Sequence, residues 1–247
     1  MAKIDSSNNP MLRKLSSSDA IKDRSTGVMT RGGAIGKTVL LFVLLLAGVG
    51  IAVFTNFSFL QVPFGWVALM IAGVVLSLVT AFVPKASPIT APFYAVIEGM
   101  LLGAISAMYG SLYNGIVFQA ILVTVGIFLM TLLFYATGII RVTARFRAGI
   151  LIATLGVMFV YLADFVLSLI GLPIGYFHSS GLIGIVINVV IVIIAALNFM
   201  IDFDYFDRAS EMGAPKYMEW YLGYSIMVTF VWLYLEVLRL LSRLSSR

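Results

Sequence analysis

The chain contains no cysteine, which excludes a disulfide framework, a thiolate metal site and a cysteine nucleophile. Its one histidine, His178, falls in a loop between apolar runs. A multi-histidine metal set is therefore excluded, and the serine–histidine type of nucleophilic chemistry has little to build on. Charged residues make up only 11% of the chain, less than half of the roughly 25% usual in soluble domains. HExxH, GxSxG, a Walker loop and a GxGxxG nucleotide fingerprint are all missing. A retinal protein would need a lysine in the middle of its last helix, and Lys216 precedes that helix. These absences point away from an enzyme, and no cofactor is expected.

What is present is hydrocarbon. Of 247 residues, 61% are hydrophobic. They are gathered into runs of about 20, each long enough to cross ~30 Å of bilayer core. No alternating pattern of about ten residues suggests an outer-membrane barrel. The expected fold is an all-α membrane protein of seven spans, at about 38–55, 64–83, 91–109, 114–137, 149–171, 181–201 and 217–241. A polar, basic tail (1–37) precedes the transmembrane domain (38–247). It is not read as a signal peptide, because its charged region and the apolar run after it are both too long. The net charge of +5 carries no implication of nucleic acid, since the basic residues flank the apolar runs.

Those flanking charges set an orientation. Lys and Arg number seven in the tail, then none, one, none, three, none and two in successive links. The alternation places the amino terminus in the cytoplasm. Arg239, Arg243 and Arg247 disagree, because seven spans put the carboxyl end on the other side. Either the last run is re-entrant or those charges are outvoted. The 25-residue run has no glycine or proline break in its second half, which favours seven spans.

Acids inside apolar runs are functional candidates, because a carboxylate in hydrocarbon is costly. The strongest stretch is Ala195–Asp207, AALNFMIDFDYFD, with three aspartates in six residues. The alternative is a helix end emerging into water, where acids are ordinary. With the orientation above, Glu98 sits seven residues into its helix, about 10 Å deep. Asp202 and Asp204 close the sixth helix and Glu219 opens the seventh, all on the cytoplasmic half. Asp164 and Glu236 share the outer half, with Arg239 placed to neutralise either. Asn198, one turn before Asp202, shares its face. Asp204 is rotated by about 200° from Asp202, so Asp202 is expected inward with Asn198 and Asp204 toward headgroups or water. Glu219 and Gly223 line one stripe of the seventh helix. The pair Gly99 and Gly103, one turn apart, allows close helix approach.

Paired carboxylates withdrawn from water can hold a proton near neutral pH and release it as pH rises. When ionised they attract a hard cation such as Ca2+. The cluster thus suggests a proton-sensitive cation path, with Ca2+ near Asp202 as transported ion. The competing account is a set of structural hydrogen bonds, with Glu236 merely pairing with Arg239.

The segment IDFDYFDRASEMGAPKYMEWY resembles the link between the last two helices of the Bax inhibitor-1 (TMBIM, YccA-like) family, with Asp202, Glu211, Gly213 and Tyr217 in step. The string Glu98-Gly99-Met100-Leu101-Leu102-Gly103 also looks like that family, while PFYAVIEG, GIVFQA, IRVT and GAPKYMEWY resemble a bacterial branch of it. The resemblance covers roughly residues 35–245. It implies a bundle with the last helix at its centre, in a bacterial cytoplasmic membrane. It also implies a pH-sensitive Ca2+ leak governed by two aspartates, one on each of the last two helices. By position the first is Asp202. The second falls at Met227, which cannot titrate, and the family arginine of the second helix has no counterpart here. Glu219 or Glu98 would then have to partner Asp202. Some bacterial relatives instead imply a non-transporting protein that modulates a membrane-bound AAA protease, with the basic tail as the contact.

Overall fold

A computed structural model describes residues 27–57, 64–172 and 181–246. Most of the expected tail (1–26), the link 58–63, the link 173–180 with His178, and Arg247 lie outside the described residues.

Seven helices long and apolar enough to cross a membrane account for nearly all of the described chain. They are α1 (Arg31–Phe54), α2 (Gly65–Phe82), α3 (Ser87–Leu112), α4 (Ile116–Ala136), α5 (Ala144–Leu169), α6 (Leu182–Glu211) and α7 (Met218–Ser245). A 3-10 turn, Pro84–Ala86, leads into α3.

Local chemistry fixes several helix ends. The Thr30 hydroxyl accepts a hydrogen bond from the Gly33 amide (3.0 Å) at the start of α1, and Thr143 does the same for Phe146 (3.1 Å) at the start of α5. Each satisfies one amide that has no partner inside its helix. Helix α1 thus begins at Arg31, inside what reads as tail. Helix α6 runs ten residues past Ile201 to Glu211, through the expected link 202–216. The reason is that nothing in IDFDYFDRASE breaks a helix. The chain turns only at Gly213, whose φ of 61° is a left-handed conformation that favours glycine.

The last helix is the centre of the bundle. It meets each of the other six: α1 through Phe42–Phe230, α4 through Phe128–Phe230, α2 through Ser77–Tyr224, α3 through Ser106–Tyr234, α5 through Tyr161–Glu236 and α6 through Asp202–Thr229. Its apolar residues Met227, Leu233, Val237 and Leu238 are fully buried. Helix α5, by contrast, buries no residue fully. Helices α1 and α7 start at the same end of the bundle and run parallel, from Thr30 beside Glu219 to Phe42 beside Phe230. We call this end, which also holds the end of α6, the near face.

Helices α1 and α3 approach most closely. A Cβ at Gly99 would collide with the Leu45 carbonyl, and one at Gly48 with that of Val96. The pair Gly99 and Gly103 therefore acts as its spacing suggests, with α1 as the partner.

Candidate functional site

Asp202 lies between the two last helices, 8% exposed. Its Oδ1 accepts a hydrogen bond from Ser225 Oγ (2.6 Å) and its Oδ2 from Thr229 Oγ1 (2.7 Å). Ser225 and Thr229 are one turn apart on α7, so the helix presents both hydroxyls to one carboxylate. No cation pairs with Asp202 among the described residues. The site accommodates either protonation state. With the carboxylate ionised, both hydroxyls donate to it. When a proton arrives on Oδ2, the Thr229 hydroxyl can accept a hydrogen bond from it and turn its own hydrogen to the Ser225 carbonyl, 3.1 Å away.

Met227, where a second aspartate is implied by family position, does not face this site. It is fully buried on another side of α7, in a cluster with Leu41, Ala91 and Tyr94. The α7 residues that touch Asp202 are the two hydroxyls, neither singled out from the sequence.

The other candidates separate. Asp204 does not point to headgroups or water. It is as buried as Asp202, with Arg208 Nε 2.8 Å and Arg147 Nε 3.7 Å from its Oδ2. The 200° rotation holds, but α6 is flanked on both sides, by α7 behind Asp202 and by α5 with Arg147 beside Asp204. Asn198 does not join Asp202 either. Its amide donates to Thr154 on α5 (2.8 Å) and to the Ile194 carbonyl (2.9 Å). Glu219 is 2% exposed and turns toward α1. Its Oε1 accepts from the Thr30 amide (3.0 Å) and hydroxyl (3.2 Å), and its carboxylate fills the space beside Gly33. A negative charge there complements the positive end of the α1 dipole. Gly223, on the same stripe, lies against Thr38 of α1.

Glu98 keeps a different character. It is half-buried and, with Tyr94 one turn earlier, lines a cavity of about 270 Å3 between α2 and α3 together with Gly73 and Ser77. No cation is paired with it among the described residues. The Tyr94 ring packs edge-on against Tyr224 (5.2 Å), whose hydroxyl is 2.7 Å from Ser77. Tyr224 adjoins Ser225 in sequence. Tyr94, which shares the cavity with Glu98, thus meets α7 one residue before Ser225, a partner of Asp202.

At the opposite end, Glu236 is 2% exposed. It accepts from Tyr161 (2.7 Å) on α5, Asn188 Nδ2 (3.0 Å) on α6 and Arg239 Nη1 (3.1 Å). The pairing with Arg239 is as expected. Asp164 lies half-buried on α5, three residues beyond Tyr161. Asn188 and Tyr161 were missed from the sequence, although an asparagine within IVINVVIVII is a visible signal. Asn188 and Asp202 are 14 residues apart on α6, about 21 Å along the axis. Between them lies a closed apolar core of Val192, Ala195, Phe199 and Leu233.

No group of three or more acidic or histidine side chains able to hold a metal ion is found among the described residues. Asp202 and its two hydroxyls offer fewer than the 6–8 oxygens that Ca2+ takes.

Fold and site together define a seven-helix membrane protein whose central last helix clasps a carboxylate of the sixth. A family model described as Bax inhibitor 1 like matches residues 9–246, and the chain belongs to that family. Neither the comparison with curated proteins nor that with solved structures yields a match.

Proposed function

We propose that the protein is a proton-regulated cation leak of a bacterial cytoplasmic membrane, without enzymatic activity, its amino terminus in the cytoplasm and Ca2+ its candidate ion. The observation that carries this reading is Asp202, buried between α6 and α7 and held by two hydroxyls with no compensating cation among the described residues. A buried carboxylate so placed changes charge at the contact between two helices. Gain or loss of one proton alters how tightly α6 is held to α7, and the apolar core beyond it closes the path in the described state. Glu98 takes the part of the second titrating group, reached along the Tyr94–Tyr224 contact.

Ca2+ flux in proteoliposomes across about pH 5 to 8 tests this, with wild type beside Asp202→Asn and Glu98→Gln. The expected result is flux that varies with pH in the wild type and loses that variation in Asp202→Asn. A folded protein without flux at any pH would overturn the reading. Copurification of a membrane-bound AAA protease, dependent on residues 1–26, would then support the modulator alternative.

A further inference from the structure

A cleft of about 640 Å3 opens between α1 and α4 at the near face. Ile35 and Val39 of α1 and Leu132 of α4 form its walls, and Ile226 of α7 its floor. At the deep end Phe42 and Phe128 both pack on Phe230 (5.0 and 5.8 Å between ring centres). From Arg31 at the mouth to Phe42 is 11 residues of α1, about 16 Å at 1.5 Å per residue. One leaflet of hydrocarbon is about half of the ~30 Å core. The cleft is therefore one leaflet deep.

Its mouth is charged. Arg31 Nη2 lies 3.4 Å from Asp207 Oδ1 and 3.9 Å from Glu211 Oε1, and Tyr135 donates to Asp207 Oδ2 (2.7 Å). One cation faces two carboxylates. An anionic headgroup would gain Arg31 but meet both acids. A zwitterion can satisfy both signs, its phosphate on Arg31 and its ammonium on Asp207 and Glu211. A primary ammonium brings three hydrogen-bond donors to those carboxylates, whereas a quaternary one brings none.

We infer that the α1–α4 cleft holds one phospholipid of the near leaflet, its tail between Ile35 and Leu132 and its primary-amine headgroup bridging Arg31 and Asp207. This is independent of any leak activity. The test is native mass spectrometry of the full chain in detergent, given an equimolar mixture of phosphatidylethanolamine, phosphatidylcholine and phosphatidylglycerol with the same tails. The expected result is one retained phosphatidylethanolamine per chain, about tenfold over either competitor, equivalent to ~1.4 kcal/mol. Asp207→Asn removes the preference. Leu132→Trp and, separately, Ile35→Trp fill the cleft and remove the adduct. Both positions are exposed along the open cleft (39% and 57%), so folding is retained, and a thermal melt checks it. Any other order of retention, or an adduct that persists in both folded Trp variants, overturns the inference.

Discussion

At the scale of single residues, the hydroxyls of α7 decide what Asp202 can do. Each carboxylate oxygen has one donor, and both come from the neighbouring helix. Removing one leaves a buried oxygen short of a partner. Thr229→Val is expected to destabilise the protein by about 1 kcal/mol, the usual size of an interhelical hydrogen bond in a membrane, and Thr229→Ser to restore most of it. Reversible unfolding in mixed detergent micelles measures both. Glu219→Gln has a different expected signature. It weakens the seat of α1 by up to about 1 kcal/mol but leaves the pH profile of flux as in the wild type, because Glu219 faces Thr30 and not Asp202. A flattened profile in that variant would return Glu219 to the ion path. Asp202 was legible in the sequence because an acid at the end of an apolar run stands out. Ser225 and Thr229 were not. Hydroxyl residues are common in such helices and mostly bond back to their own backbone, as Thr38, Thr124 and Thr131 do here, so composition gives no sign of which one reaches across. Asp204 was misplaced because helical rotation tells which way a side chain points but not what stands there.

At the scale of elements, close approach of α1 and α3 depends on the absence of two side chains. A methyl group at residue 99 would press on the Leu45 carbonyl, which is backbone and cannot swing aside. Gly99→Ala is expected to cost about 1–3 kcal/mol, the range for overpacked cores. Gly50→Ala, on the same helix pair but with open space around it, is expected to be neutral or slightly stabilising through helix propensity. Thermal unfolding of the two variants in one detergent separates packing from propensity. The spacing of Gly99 and Gly103 announced the close contact, though not its partner Gly48. Seven spans were legible for the same reason that any membrane helix is, since hydrocarbon demands long apolar runs. Their ends were less so. The bilayer edge sets where apolar residues stop, whereas α6 continues to Glu211 until Gly213 turns the chain. In that overhang Asp204, Asp207 and Glu211 find Arg208, Arg147 and Arg31. Of these, Asp204 is buried with its partners, while Asp207 and Glu211 meet Arg31 at the exposed edge.

At the scale of the whole molecule, the parallel course of α1 and α7 puts the start of α1 and the end of α7 on opposite faces. Two of the three arginines that argue otherwise are engaged within the bundle. Arg239 pairs with Glu236, and Arg243, 9% exposed, donates to the Gly184 carbonyl at the start of α6. A guanidinium committed to such partners contributes little as a free flanking charge, and the positive-inside tendency counts flanking charges. The chain's lack of cysteine makes sidedness simple to measure, because a single introduced thiol is the only one present. Ser17→Cys and Ser246→Cys, each treated with a membrane-impermeant maleimide in right-side-out and inverted vesicles, are expected to label from opposite sides. Adding Arg243→Gln to Ser246→Cys is expected to leave the side of labelling unchanged, since the arginine holds α6 to α7 and does not steer the last helix. Labelling of both single variants from the same side would instead make the last run re-entrant, and would remove Asp202 and Glu236 from opposite ends of one path.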